Sequence, residues 1–455
     1  MDSELDRRPT HSCTGTIEAA GSVREVGMNL ARGRELGISS RVDEGHDWIH
    51  KPSRSFYEGK ASVGEATGGS SGDIAVVLGA TNGEDEDNDS RDERAETHVA
   101  ASSSPAPDVA SVVSSSAARL HAFNAPLGRR ARVDVANWMA QLVTHIADTP
   151  LHKLRLPGTH DSGAYHLSRT RMGDLPAWLC AVNNATRGIV TRPITPIIAG
   201  WGEAQSLDVY NQLKRGARYL DLRVVHERGG YFTEHGMAGA SYEDVLTQVA
   251  SFLTDHPGEI VLCDFNHFHR FDAFEDHVKF VDVIERTLGR HMVPLALRRA
   301  STEGDGTVTV RDCLAANRRC VCLYGGFDFA GVARCAVEAG CWGRKRDDIW
   351  SPWPMAGTRR ALVERMRALD AEGVNCRGFF VLQGVVTPDA KRITKAVLLP
   401  DWGRPRTLRA LAERVTPLVC SMVTGGQVRA RCVVMVDHID VADVEGWLLG
   451  AYGGD

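Results

Sequence analysis

From Val133 onward the chain alternates short, nearly unbroken apolar runs with segments of helical periodicity, and this alternation constrains the fold most. The runs are LHKLRLPG (151–158), ARYLDLRVV (217–225), EIVLCDF (259–265), RRCVCLYGG (318–326), GFFVLQGVV (378–386) and RCVVMVDHI (431–439). Between them, SYEDVLTQVASFL (241–253) puts Val245, Leu246, Val249, Phe252 and Leu253 on one helical stripe, with Ser241 at the N-cap and Asp244 three residues on. SLDVYNQLKRGA (206–217), TRRALVERMRALDAEG (358–373) and VDVANWMAQLVTHI (133–146) repeat the helical pattern. Strands that are apolar on both faces belong to a parallel sheet covered on both sides. The spacing therefore predicts an α/β fold, a (β/α) barrel over 133–455, with chemistry at the C-terminal strand ends. A doubly wound sheet is the alternative. No GxGxxG or Walker loop follows any of the runs, which disfavours its nucleotide-binding versions.

Residues 1–132 read differently. GEDEDNDSRDERAE (83–96) has no apolar face, and ASSSPAPDVASVVSSSAA (101–118) is rich in Ser, Ala and Pro. Such composition buries too little surface to offset chain entropy, so a disordered N-terminal extension is expected there. The net charge of −5 supplies no basic face, so no nucleic-acid partner is expected. Cys263, Cys320, Cys322 and Cys432 lie in apolar runs and read as buried free thiols. No CxxC pair suggests zinc. The N-terminal residues lack a signal-peptide core, and no apolar stretch reaches the length of a transmembrane segment. A cytoplasmic protein is the expectation.

Ionisable residues recur at the ends of the strand-like runs. His160 and Asp161 follow the first, and Asp221 and Arg223 end the second. The short extended piece YFTEHG brings Glu234 and His235. Asp264, Asn266 and His267 end the third run, and Asp437 and His438 end the last. Each has a structural alternative. Asp221 and Arg223 can form an ion pair, His235 can sit in a turn, and Asp264 and Asp437 can each cap the next segment. Their joint recurrence points instead to phosphodiester cleavage by acid–base catalysis. One neutral histidine takes a proton from the attacking hydroxyl and a protonated one supplies the leaving oxygen. An arginine fork binds the phosphate, and carboxylates orient the imidazoles.

NWMAQL, LHKLRLPGTHDSGAY, NQLKRGARYLDLRV, TEHGM and HPGEIVLCDFNHF together resemble the X-domain of phosphatidylinositol-specific phospholipase C, over about 133–440. The resemblance implies a distorted TIM barrel and a phosphoric diester hydrolase. It implies His160 as the base on the inositol 2-hydroxyl, oriented by Asp437. Arg223 would bind the phosphate. His235 would protonate the diacylglycerol oxygen with Asp161 in support, leaving an inositol 1,2-cyclic phosphate. Asn266 and His267 stand near the point where the bacterial enzymes carry a substrate lysine, and are assigned to the headgroup.

Calcium-dependent members place Asn after the first histidine and acidic ligands on the second strand. Asp161 and Arg223 depart from that pattern, so the resemblance implies no metal and no cofactor. The implied partner is a phospholipid met transiently at a membrane surface. A phosphodiesterase for another lipid class and a non-catalytic headgroup-binding protein are the alternatives. GCWGRKRDDIWSPWPMAG (340–357) reads either as a rim loop touching an anionic membrane or as a loop whose tryptophans pack on the core.

Overall fold

The computed structural model describes residues 133–453 apart from 169–170, 172–174, 176, 301–306, 326–330 and 388–404, so the expected extension, 1–132, lies outside the described residues. Among the described residues, nine strands form one sheet: β1 (Leu156–Thr159), β2 (Tyr219–Glu227), β3 (Gly230–Glu234), β4 (Ala238–Ser241), β5 (Val261–His269), β6 (Cys320–Tyr324), β7 (Ile349–Trp350), β8 (Phe379–Gln383) and β9 (Val433–Val436). The parallel strands follow one another around a ring. β1 pairs with β2, β2 with β5, and β5 with β6. β7 pairs with β8, β8 with β9, and β9 returns to β1. Trp342 adds a single-residue parallel bridge beside β6. The sheet does not close, because among the described residues no ladder joins Trp342 to β7. The architecture is thus the expected distorted barrel, with a seam on one side. β3 and β4 extend it as an antiparallel ribbon on the far end of β2.

Alternation along the strands sets which residues fill the barrel. Gly158 of β1 is inward, since a Cβ there would come within 2.8 Å of Val433 and 3.0 Å of Tyr219. Leu156, Tyr219, Leu262, Val321, Leu323, Val433 and Met435 share one buried core cluster. The opposite phase of β2, β5 and β6 (Leu220, Leu222, Val261, Cys263, Cys320 and Cys322) packs under helices Tyr242–Asp255 and Phe274–Leu288. Continuing the inward phase upward brings β1 to His160, β2 to Asp221 and Arg223, β5 to Asp264 and Asn266, and β9 to Asp437. The cysteines expected to be buried and free are so.

Some expected elements are shorter. Val385 and Val386 are buried beyond the end of β8, because burial outlasts the hydrogen-bonded ladder. The expected helix over 133–146 breaks at Leu142, whose φ −94° and ψ 6° leave the helical region between two one-turn pieces. That segment closes the bottom of the barrel. Arg218 is fully buried and donates Nε and Nη2 to Glu259 Oε2 at 2.8 and 2.5 Å. It also donates to the carbonyls of Ala136, Leu213 and Ala217. Glu259 in turn accepts the backbone N–H of Met139 and Ala140.

Candidate active site

The turn after β1 is built by its own sequence. Thr159 and Ser162 join their hydroxyls at 2.7 Å across it. Gly163 follows because a Cβ there would lie 2.3 Å from Thr233 of β3. Asp161 takes a left-handed φ of 42°, which a non-glycine residue holds only under strain of about 1–2 kcal/mol. In that conformation its N–H donates to Asp221 Oδ2 at 2.9 Å. His438, at φ 46°, makes the corresponding turn after β9.

These turns bring a chain of charged groups together. Asp437 Oδ1 lies 2.8 Å from His160 Nδ1, and Arg223 Nη2 lies 3.0 Å from His160 Nε2. A guanidinium can only donate, so Nε2 is the acceptor and the imidazole proton is on Nδ1, facing the carboxylate. Arg223 Nε is 3.5 Å from Asp161 Oδ2 and Nη2 is 3.6 Å from Asp221 Oδ2. His235 Nδ1 is 2.7 Å from the Gly202 carbonyl and 3.4 Å from Asp161 Oδ2. The rings of His160 and His235 meet edge to face, 5.8 Å between centroids. Asn266 donates to Asp221 Oδ1 at 2.6 Å.

Burial decides the charge states. It lifts the Asp161 carboxyl well above the usual carboxylate range; Arg223 opposes this and the Asp221 charge adds to it. Burial acts the same way on Asp221, but Arg223, His160 and the Asn266 hydrogen bond outweigh it and hold that carboxyl low. His235 is pushed down to about 3, by burial first and then by the positive charge of Arg223. Burial works against the Arg223 charge, and Asp161 and Asp221 more than restore it.

The human PI-PLC X domain-containing protein 2 is 30% identical to this chain over 285 residues, which is 60% of this chain and 85% of the human one. The chain belongs to the PI-PLC X domain-containing family. The mouse PI-PLC X domain-containing protein 1 is 37% identical over 150 residues, 32% of this chain and 41% of the mouse one. Among solved structures, the phosphatidylinositol-specific phospholipase C of Listeria monocytogenes gives a TM-score of 0.46 at 16% identity, covering 71% of this chain and 100% of that chain. The Ca2+-dependent enzyme of Streptomyces antibioticus gives 0.31 at 12%, covering 52% and 90%. No family model matches the chain.

Within this X domain, His160, Asp161, Arg223, His235, Asp437 and Asn266 are neighbours. A bulge in β5 adds His267. Leu222 pairs with Phe265 but Arg223 pairs with His267, so Asn266 is the extra residue and both reach the barrel mouth. His267 is exposed there, its Nδ1 against Asn266 Oδ1.

Several site residues of this X domain carry no motif. Arg344 forks onto Asp264 at 2.6 and 3.0 Å, and Tyr219 donates to the same carboxylate at 2.7 Å. The Trp353 ring lies 5.6 Å from that of His160. Both come from 340–357, and that segment turns largely inward. Trp342 is buried and donates to the Val293 carbonyl, and Trp350 stacks on Phe380 at 5.0 Å. The basic and aromatic residues were the available signal, but they were as compatible with a membrane rim.

Gln205 is a lone glutamine with no signal in the sequence. Its Nε2 donates to the carbonyls of His160 and Val436 at 2.9 and 3.0 Å, and its Oε1 accepts from Ile439 at 3.1 Å. It therefore ties together the ends of β1 and β9, which carry His160 and Asp437. Gln205→Leu strands two buried backbone groups, the His160 carbonyl and the Ile439 N–H, while the Val436 carbonyl keeps the His160 N–H. A loss of about 1–3 kcal/mol in a urea melt is expected, the scale for an unsatisfied buried polar group. An unchanged midpoint would mean that water replaces the amide.

Proposed function

We propose that the chain is a metal-independent phosphoric diester hydrolase that cleaves phosphatidylinositol to diacylglycerol and an inositol cyclic phosphate. The observation that carries this reading is the Asp437–His160–Arg223 chain. A carboxylate fixes the proton on Nδ1, and the Nε2 lone pair faces the guanidinium that would hold the phosphate.

His160 Nε2 removes the proton of the inositol 2-hydroxyl, whose oxygen attacks phosphorus. The bond from phosphorus to the diacylglycerol oxygen breaks, and that oxygen takes a proton from His235. Arg223 leaves His160 for the phosphate oxygens and offsets the charge that builds on them. At neutral pH His235 is neutral, since its value is held to about 3. An arriving phosphate anion neutralises Arg223, which is one cause of that depression, and so favours the protonated imidazole. Asp161, 3.4 Å away, gains that cation as a partner, which favours its own ionisation against the burial that raises it.

Calcium fits this residue set poorly. The guanidinium sits between Asp161 and Asp221, and Arg344 already forks onto Asp264. A cation that needs about six to eight oxygen ligands would have to displace both arginines.

The test is a phosphatidylinositol mixed-micelle assay with phosphorus NMR of the water-soluble product, run in excess chelator. Cyclic phosphate should form at the same rate with and without chelator. Arg223→Ala should lower turnover about 10²- to 10³-fold, the scale for removing an oxyanion donor. Arg223→Lys should lose less, because it keeps the charge but not the fork. Activity that disappears in chelator and returns with added calcium would overturn metal independence. Binding of the lipid without any product would leave the headgroup-binding reading instead.

A further inference from the structure

The segment leaving the end of β1 exposes large apolar side chains. Ile189 is 76% exposed, Val190 62% and Ile194 40%. They form the tip of a hairpin between helices Ala177–Ala185 and Thr195–Gly202. Arg187 and Arg192 are exposed beside them, and no acidic residue occurs between Asp174 and Glu203.

We infer that this tip is a docking element for an anionic phospholipid bilayer, inserting Ile189, Val190 and Ile194 below headgroups paired with Arg187 and Arg192. The inference rests on the lipid-hydrolase reading for its purpose, but not for its evidence.

Three observations favour a bilayer. The first is charge, since an apolar tip flanked only by arginines complements an anionic interface. The second is internal hydrogen bonding. An apolar phase offers backbone groups no partner, so a segment that enters one must satisfy its own. Here Gly188 N–H donates to the Asn183 carbonyl at 2.7 Å, Ile189 to Thr186 at 3.0 Å, Arg192 to Gly188 at 2.8 Å and Ile194 to Thr191 at 3.0 Å. The Thr191 hydroxyl, itself buried, donates to Asn183 Oδ1 at 2.6 Å. The apolar side chains are therefore held outward by an ordered turn.

The third observation is position. The hairpin starts and ends at the mouth of the barrel. Gly202, the last residue of its second helix, supplies the carbonyl that holds His235. Eight helical residues span about 12 Å, so docking the tip sets the mouth close to the lipid headgroups. Met355, 82% exposed, projects from the loop after β7 on the same C-terminal side of the strands.

The test is sedimentation of the full chain with vesicles of phosphatidylcholine alone and of phosphatidylcholine doped with phosphatidylserine. Neither lipid is an inositol lipid, so binding is read independently of cleavage. The chain should pellet with the doped vesicles. I189S/V190S should weaken partitioning at least about tenfold. R187Q/R192Q should weaken it about fivefold per arginine, with a loss of salt sensitivity. All four side chains are exposed, and matching thermal melts will show that the variants are folded. Wild-type pelleting by I189S/V190S, no pelleting by the wild type, or a tip-dependent change in solution mass would each overturn the inference. A chain that docks through the tip yet cleaves no inositol lipid would overturn the hydrolase reading and leave this one standing.

Discussion

His160→Ala and His235→Ala are each expected to lower turnover of phosphatidylinositol at least about 10²-fold, the usual scale for losing a general acid or base. The double variant should be little worse than either alone, because groups that act as a unit in one displacement are not additive. Asp437→Asn should also lose activity. An amide facing Nδ1 no longer requires the imidazole proton there, and the lone pair on Nε2 is no longer enforced. Thermal melts on each variant separate these losses from unfolding.

The pH profile carries a further sign. The acid must be protonated, and in the free protein His235 is held down to about 3. kcat/KM reports the free protein and kcat the complex, where a phosphate offsets the Arg223 charge, so the two profiles should not share both limbs. Coincident profiles, or near-normal turnover in His235→Ala, would remove His235 from the reaction.

Glu259→Ala is expected to destabilise the fold by about 3–5 kcal/mol, the cost of breaking a buried ion pair from one side. The reason is local. Arg218 and Glu259 are both fully buried, and removing the carboxylate leaves a guanidinium uncompensated. It also strands the N–H groups of Met139 and Ala140. Replacing both members with Met should be less damaging than either single change, since no lone charge is left. High salt should not mimic the effect, because a pair with no solvent contact is poorly screened. The readout is a urea denaturation series. A loss below about 1 kcal/mol for Glu259→Ala, the range of an exposed pair, would show that water reaches the site.

Much of the barrel was legible because its cause is local and periodic. β9 falls within its apolar run, and β2 and β5 begin within theirs and extend two and four residues past them. The ionisable residues at their ends are in phase with inward positions such as Tyr219, Leu262 and Met435. His160, Asp221, Arg223, Asn266 and Asp437 could therefore be placed at one end of a barrel before their distances were known. Ser241 as the cap of helix Tyr242–Asp255 was legible for the same reason, since cap and helix are adjacent in the chain.

The sequence alone determined the strand phases, the caps, and which ionisable side chains reach the mouth of the barrel. Each of these depends on residues within a few positions of one another, where backbone geometry fixes the outcome. Only the tertiary structure decided that Gln205 bolts β1 to β9, that Arg344 and Trp353 turn into the site, and that Arg218 and Glu259 lock its base. It also decided that Ile189 and Val190, rather than Trp342 and Trp350, are left facing solvent. Those contacts join residues tens to hundreds of positions apart. Their partners become neighbours only when the ring of strands forms, and nothing in the local spacing of a lone Gln, Arg or Trp records which neighbour that will be.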